Sequence, residues 1–231
     1  MEDSRSYYVV MELVSGGNLF DRIKQRHDFT EAEVASIIKQ LCLALNYMHN
    51  LGIMHRDLKP ENLLCEQNDE GKFMIKLTDF GFATHFSETR KHNLSLGSPL
   101  YMAPELCREL AYDNKVDVWA VGVIVYVLLT GKPPFSGRSK ETIYKKICQE
   151  EPDQVKLANA SNAAKLVIEA CLKKNSADRP TMAELLNFEW FELNSVSSLN
   201  NNRQLDISAN LSAYRKTTTF QSGVCSIIAN L

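Results

Sequence analysis

The chain has 231 residues, enough for one or two domains with a sizeable core, and its 45% hydrophobic and 23% charged residues are typical of a globular protein. The net charge of −2 is too small to favour nucleic acid or an anionic membrane as a partner. No apolar run reaches the roughly 18 residues of a transmembrane helix. Six cysteines without a Cys-x-x-Cys pair make zinc and a disulfide framework unexpected, so we expect a cytoplasmic or nuclear location.

The N-terminal part of the chain is predicted to form a strand and two helices. Tyr7–Leu13 is a near-continuous apolar run rich in β-branched and aromatic residues, which predicts a buried strand. Asn18–Arg26 predicts a short helix. Thr30 and Glu33 form a capping box, and the apolar residues behind them keep a 3.6-residue spacing as far as Gly52, which predicts a long amphipathic helix.

The rest of the chain is predicted to be mostly helical. Leu63–Leu64 and Met74–Leu77 indicate two short strands around a polar turn, whereas residues 82–102 show no sustained period and indicate a mobile loop. Asp117–Leu129 is apolar nearly all round, which predicts a helix buried at the centre of a domain. Further helices are predicted at Thr142–Glu150, Ala163–Lys173 and Thr181–Phe188.

Three motifs follow one another in a set order. They are His55-Arg56-Asp57-Leu58-Lys59-Pro60-Glu61-Asn62, then Asp79-Phe80-Gly81, then Ala103-Pro104-Glu105. Each has a defined role in phosphoryl transfer, and the ordered set is far more specific than any one of them. The chain therefore resembles the large lobe of a eukaryotic protein kinase, on the serine/threonine side of that family because of Lys59. The resemblance implies a mainly α fold with short β hairpins, the kinase C-terminal lobe, with the N-terminal lobe largely missing.

The resemblance also assigns chemical roles. Asp57 matches the residue that accepts the proton of the target hydroxyl, and Lys59 the one that offsets charge at the transferring phosphoryl group. Asn62 and Asp79 match the ligands of Mg²⁺, which prefers oxygen donors. The alternative is that each aspartate merely caps a turn. ATP and Mg²⁺ are the implied cofactors, and the hinge residues Glu12 and Val14 are implied to bind ATP.

Other matched residues are expected to be structural. In the family, the equivalents of His55 and Phe80 pack against each other, and Gly81 belongs to the same motif. Asp117 resembles the buried aspartate that hydrogen-bonds the catalytic-loop backbone, as a carboxylate in an apolar helix must be satisfied. The remaining two, Glu105 and Arg179, resemble a buried ion pair below the activation segment.

Substrate selection is partly readable. The loop that begins at Gly97 resembles the one that receives the residue after the phosphorylated position, and Ser98 is expected to contact the base and the lysine through its hydroxyl. Glu61 would favour a basic substrate residue, and Asn18 stands where relatives that select arginine carry glutamate. The alternative for Glu61 and Asn18 is that both are plain exposed polar residues.

Arg56 is the type of arginine that pairs with a phosphate on the activation loop. The position where that phosphorylation site usually lies holds Leu94, with Ser95 next to it. Two alternatives stay open: Ser95 substitutes, or the loop needs no phosphate.

Two regions, the hinge at Met11–Gly17 and the stretch Lys76–Ala83, resemble the calcium/calmodulin-dependent group. A third region, residues 210–231, makes calcium-dependent protein kinases the most similar. It resembles the autoinhibitory junction helix that a calcium-bound sensor domain removes from the substrate groove. Apolar residues at positions 224, 227, 228 and 231 fit a helix in a groove. The alternative is an ordinary C-terminal helix. The implied partners are protein substrates and a calcium-sensor domain, in the same chain or separate.

The sequence departs from the family pattern in three places: these residues contain no glycine-rich loop, no small-lobe lysine and no EF-hand loop. We expect residues 1–14 to be the last small-lobe strand and hinge, 15–192 the large lobe, 193–209 a linker and 210–231 the junction. The expected function is a protein serine/threonine kinase, as a fragment of a longer protein, with little activity in this chain alone. The alternative is a non-catalytic binding or scaffold module.

Overall fold

The computed structural model describes residues 10–25, 29–67, 73–87 and 97–195, which form eight α-helices and two small antiparallel sheets. The helices are α1 (Leu19–Gln25), α2 (Glu31–Asn50), α3 (Pro104–Cys107), α4 (Lys115–Thr130), α5 (Lys140–Gln149), α6 (Asn162–Cys171), α7 (Met182–Leu186) and α8 (Glu189–Leu193). The strands are β1 (Ile53–Met54), β2 (Leu63–Gln67), β3 (Phe73–Leu77) and β4 (Thr84–His85). The predicted class, mainly α with short β hairpins, is confirmed.

Helix α2 begins where the sequence predicts. The Thr30 hydroxyl accepts a hydrogen bond from the Glu33 amide, and the Glu33 carboxylate accepts one from the Thr30 amide, so both ends of the capping box are present. The 3.6-residue spacing then places one face of the helix in the core, with Val34, Ile37, Ile38, Leu41 and Leu45 buried.

Helix α4 is buried along nearly its whole length and forms the centre of the domain. It packs against α6 at Gly122, where an added Cβ would lie 2.5 Å from the Cβ of Cys171 and 2.9 Å from Cδ2 of Leu172. Only glycine permits this close approach of the two helices. The helix ends at Gly131, which has a φ of 69°, the left-handed cap that glycine adopts without strain.

The two sheets place the loops that carry the motifs. Strands β2 and β3 pair from Leu63 with Leu77 to Gln67 with Phe73, and β1 pairs with β4. The His55–Asn62 loop therefore joins β1 to β2, and Asp79 lies between β3 and β4. The first two motifs are brought together because their loops leave the sheets at paired strand ends, Met54 with Thr84 and Leu63 with Leu77.

Two side chains of α2 hold this framework. Gln40 accepts a hydrogen bond from the Ile75 amide and donates one to the Phe73 carbonyl, so it covers part of the outer edge of β3. Glu31 accepts hydrogen bonds from the Ser161 amide at 3.0 Å and from Nε1 of Trp190 at 2.8 Å, which attaches the start of α6 and α8 to the start of α2.

The predicted buried strand at Tyr7–Leu13 is wrong for the residues that can be described. Residues 10–13 form no strand, and Val10, Met11 and Leu13 are 87%, 72% and 86% exposed. A buried strand needs backbone partners, and none of the described strands pairs with this run. Residues 1–9 lie outside the described part of the chain.

Two other boundaries differ from the prediction. Within residues 82–102, Thr84–His85 forms β4 and Pro99–Tyr101 forms a 3₁₀ helix, because pairing and burial order segments that lack a periodic pattern. The helix predicted at Thr181–Phe188 is α7, which ends two residues earlier at Leu186, and α8 (Glu189–Leu193) follows it without having been predicted.

The expected boundaries at 209 and 210 lie outside the described residues, and the one at 193 lies close to the end of the last described range. Leu193 ends α8, and residues 196–231, which include most of the predicted linker and the whole junction-like segment, lie outside the described residues. None of the helices in the described residues is both long and apolar enough to span a bilayer.

Candidate active site

The loop that carries the first motif is anchored to α4 by the side chain of Asp117. Its Oδ2 accepts a hydrogen bond from the His55 amide and its Oδ1 one from the Arg56 amide, both at 2.9 Å. A third contact joins Oδ2 to Nε2 of His49, also at 2.9 Å. Asp117 therefore makes the contacts that the sequence predicts, together with one to His49 that it does not.

The charge of Asp117 is stabilised by these contacts. Burial alone would raise the pKa of this carboxyl, because a buried charge loses its hydration. The hydrogen bond and charge interaction with His49, together with the His55 and Arg56 amides, outweigh the burial and hold the pKa below its ordinary value. The carboxylate thus stays ionised at neutral pH and anchors the loop.

Asp57 is the centre of the site and is 4% exposed. Its Oδ1 accepts hydrogen bonds from the amide and the hydroxyl of Ser98, at 3.0 and 2.9 Å. Its Oδ2 accepts one from Nζ of Lys59 at 2.7 Å. Nζ of Lys59 also donates to the Ser98 hydroxyl at 3.2 Å, so the contacts predicted for Ser98 with both residues are present.

Asn62 faces Asp57 from the other end of the loop. Its Nδ2 donates to the main-chain carbonyl of Asp57 at 2.8 Å and lies 3.4 Å from Oδ2. With the amide nitrogen used in this way, the carbonyl oxygen Oδ1 is the atom available as a ligand. The role of Asn62 as a metal ligand stays a prediction.

Asp79 lies beside Asn62 because the two loops are joined at their backbones. The Thr78 amide, one residue before Asp79, donates to the Asn62 carbonyl at 3.0 Å. Asp79 has a φ of 62°, its side chain is exposed, and its Oδ1 accepts a hydrogen bond from the Gly81 amide at 3.3 Å. The turn-capping role considered for this aspartate is thus also present.

These two oxygen donors suit Mg²⁺. This ion is commonly held by one or two protein ligands and takes its other ligands from phosphates and water. Within the residues that the structure describes, no three His, Cys, Asp or Glu side chains converge on a metal site. The donors fit an ion brought with a nucleotide and do not form a complete protein cage.

Gly97 allows the Ser98 loop to approach Asp57. Its φ is 106°, and an added Cβ would lie 2.7 Å from the Arg56 carbonyl oxygen. Any other residue would be strained in its backbone and would collide with the catalytic loop. Glycine is therefore required by geometry at this position.

The structural residues also lie where the sequence places them. The rings of His55 and Phe80 meet edge to face with centroids 5.3 Å apart, and Nε2 of His55 lies 3.1 Å from the Thr78 carbonyl. Arg179 binds Glu105 through Nη1 and Nη2 at 2.7 and 2.8 Å, and both side chains are buried. The predicted ring contact and the predicted buried ion pair are present.

Three sequence-predicted residues lie away from the contacts of Asp57. The exposed Glu12 pairs with Lys76 of β3, and Val14 is half-buried in the same segment. Glu61 is half-buried in the 3₁₀ helix at residues 60–62, so it is not the plain exposed residue considered as its alternative. Their roles in binding ATP and substrate stay predictions.

Asn18 has a local structural role. Its Oδ1 accepts the Asp21 amide at 2.8 Å and its Nδ2 donates to the Asp21 carboxylate at 2.9 Å, at the start of α1. This is the capping contact that asparagine commonly makes.

Sequence reasoning missed two residues that hold the catalytic loop. His49 contacts Asp117, which is 68 positions away in the chain. The hydroxyl of Tyr112 accepts a hydrogen bond from Arg56, which is 56 positions away. Neither stands in a motif or at an informative spacing. The one available signal was that a buried carboxylate such as Asp117 must have hydrogen-bond partners, but the sequence does not say that His49 is one of them.

In this helical lobe Asp57, Lys59, Asn62 and Ser98 meet beside Asp79, the arrangement expected of a protein kinase large lobe. Residues 1–191 match the protein kinase domain. The chain therefore belongs to the protein kinase family.

Similar proteins indicate which protein kinases this chain resembles. The chain is 40% identical over 194 residues to calcium-dependent protein kinase 4 of Plasmodium berghei, which covers 83% of this chain and 37% of that protein. It is 38% identical over 191 residues to calcium-dependent protein kinase 33 of Arabidopsis thaliana, covering 82% and 36%. Myosin light chain kinase A of Dictyostelium discoideum is 37% identical over 194 residues, covering 83% and 65%. The chain thus spans little more than a third of the two calcium-dependent kinases.

Proposed function

We propose that this chain forms the catalytic large lobe of a calcium-regulated protein serine/threonine kinase. The enzyme would transfer the γ-phosphoryl group of ATP to serine or threonine hydroxyls of proteins. The observation that carries the proposal is the environment of Asp57, whose two oxygens are held by Ser98 and Lys59 at 2.7–3.0 Å. The named relatives, calcium-dependent and myosin light chain kinases, support the group.

The geometry accounts for how the residues would act. Asp57 accepts the hydrogen bond of the incoming hydroxyl, orients its oxygen for attack and takes the proton as the new O–P bond forms. The bond between the γ-phosphorus and the β,γ-bridging oxygen breaks in the same step, and ADP leaves with that oxygen. Lys59, already within 2.7 Å of Asp57, offsets the negative charge that grows on the transferring group. Ser98 holds both side chains in place, and its loop would receive the substrate residue that follows the phosphorylated one.

ATP supplies the phosphoryl group, and Mg²⁺ neutralises the charge on its phosphates. Asn62 and Asp79 would hold the metal, and the backbone of Glu12 and Val14 would hold the base. We also propose protein substrates with a basic residue opposite Glu61, a calcium-sensor domain as regulator, and a cytoplasmic or nuclear location. Six cysteines without a Cys-x-x-Cys pair support that location.

The test is a phosphorylation assay on the full-length protein with ATP, Mg²⁺ and basic peptides that contain serine, threonine or tyrosine. Asp57→Asn keeps the shape of the side chain but removes the base. Asp153→Asn, an exposed aspartate that caps a 3₁₀ helix, is the matched control.

We expect transfer to serine and threonine peptides, at least a hundredfold loss with Asp57→Asn, and little change with Asp153→Asn. Equal rates for Asp57→Asn and wild type would overturn the proposal. A full-length protein that binds its peptide but transfers nothing, with or without calcium, would instead favour the non-catalytic module.

A further inference from the structure

The side chain of Arg56 is held at two points outside the catalytic loop. Its Nη1 donates to the hydroxyl of Tyr112 at 2.9 Å, and its Nε donates to the Phe82 carbonyl at 2.6 Å. Tyr112 is 3% exposed, so the hydroxyl that accepts from Arg56 belongs to a buried side chain. The guanidinium thus joins the segment after Asp79 to the segment that leads into α4.

The same segment holds both ends of Arg56. Tyr112 accepts from the guanidinium, while Asp117, five positions further on, accepts from the Arg56 amide at 2.9 Å. The turn between them is itself ordered, since Oδ1 of Asp113 accepts the Lys115 amide at 3.0 Å. Arg56 is therefore clamped by one short stretch of chain through its backbone and its side chain.

The backbone of Arg56 needs such a clamp. Its φ is 72°, a left-handed conformation that is unfavourable for a residue with a side chain. Its carbonyl oxygen also lies against Gly97, where an added Cβ would come within 2.7 Å. Because Asp57 follows directly, a change in the conformation of Arg56 would redirect the carboxylate.

We propose that Tyr112 is a positioning residue: its hydroxyl holds Arg56, and through Arg56 it fixes the direction of Asp57 and the contact of this loop with the segment after Asp79. This inference rests on the proposed kinase function. It adds a residue that stands in none of the three motifs.

The experiment compares Tyr112→Phe with Tyr126→Phe in the full-length protein. Both changes delete one hydroxyl from a buried tyrosine. Tyr126 of α4 donates to the Asp153 carbonyl at 3.0 Å, so the loss of its hydroxyl controls for the removal of a hydrogen bond from a buried tyrosine. The probes are ATP with Mg²⁺ and the best peptide from the assay above.

We expect Tyr112→Phe to lower kcat about tenfold, as the loss of a hydrogen bond to a charged group does, while the KM values for ATP and peptide change less than about threefold. Tyr126→Phe should leave kcat unchanged. In an Arg56→Met background, Tyr112→Phe should have no further effect, because the two residues act as one unit. Additive effects, or equal kcat for the two Phe variants, would overturn the inference.

A second measurement does not depend on activity. Hydrogen exchange of the Ala83 amide, which donates to the Phe80 carbonyl, reports on the segment that Arg56 holds through Phe82. Tyr112→Phe should speed this exchange several-fold, and Tyr126→Phe should not. Unchanged exchange would also overturn the inference.

The two proposals fail in different ways. A wild-type protein without Asp57-dependent transfer defeats the kinase function and with it the positioning role. An active wild type whose Tyr112→Phe variant matches Tyr126→Phe defeats the positioning role alone.

Discussion

Arg179 and Glu105 lie 74 positions apart in the chain and form a two-pronged ion pair inside the lobe, with N–O distances of 2.7 and 2.8 Å. The guanidinium also donates to the main-chain carbonyls of Lys115, Lys173 and Lys174. Arg179 therefore connects α3, the start of α4 and the segment after α6, and its charge is satisfied only while all three stay in place.

Breaking this pair should strongly destabilise the lobe. We expect Glu105→Gln to cost roughly 3–5 kcal/mol of unfolding free energy, because Arg179 would keep a buried charge without its partner. Urea unfolding measures the change. Glu169→Gln, which removes an exposed pair with Lys173, is the control and should leave the unfolding midpoint nearly unchanged. A similar midpoint for both variants would show that the buried pair contributes little.

Asp117 should make stability depend on acid pH. Its pKa is lowered in the folded state, so as the pH falls the unfolded chain binds the proton first. The stabilisation is thus present above about pH 4, the ordinary range of an aspartate, and is lost as the pH falls through the folded-state pKa.

The comparison is between wild type and Asp117→Asn, with unfolding free energies measured from pH 6 to pH 3. The wild-type value should fall more steeply, whereas Asp117→Asn should be less stable throughout with a flatter curve. Parallel curves for the two proteins would contradict a lowered pKa at this carboxyl.

The Ser98 hydroxyl bridges Asp57 and Lys59, so its removal should impair catalysis by the full-length protein. We expect Ser98→Ala to lower kcat/KM about ten- to a hundredfold, since hydrogen bonds to charged groups contribute about 1.5–3 kcal/mol. Ser98→Thr keeps the hydroxyl and should stay within about threefold of wild type. Peptide phosphorylation kinetics decide this, and equal losses in both variants would assign the effect to loop packing instead.

Gly97→Ala should displace the Ser98 loop, since the new Cβ would lie 2.7 Å from the Arg56 carbonyl oxygen. We expect at least a tenfold loss of kcat, which corresponds to about 1.4 kcal/mol at the transition state. Gly52→Ala is the control: Gly52 also has a positive φ, but its added Cβ would lie 3.3 Å from the Phe86 carbonyl oxygen, away from Asp57. A normal kcat in Gly97→Ala would mean that the catalytic loop can shift away from the new Cβ without any loss of activity.

Local signals predicted the helices well. The capping box at Thr30, the 3.6-residue spacing of α2 and the unbroken apolar run of α4 act within one or two turns, so they do not depend on the rest of the chain. The same reasoning failed at residues 10–13, because an apolar run becomes a buried strand only when neighbouring strands cover it. It also missed β4, whose order comes from pairing with β1.

By itself, the sequence determined the family, the order of the three motifs and the residue types available for phosphoryl transfer. Only the tertiary structure decided which distant side chains support the site and its framework. His49 contacts Asp117, Tyr112 accepts a hydrogen bond from Arg56, and Gln40 donates to the edge of β3. Motif spacing and helical periodicity are properties of neighbouring residues. A hydrogen bond between residues more than 30 positions apart depends instead on how helices and loops pack, as at Gly97, where the absence of a side chain lets the Ser98 loop reach Asp57.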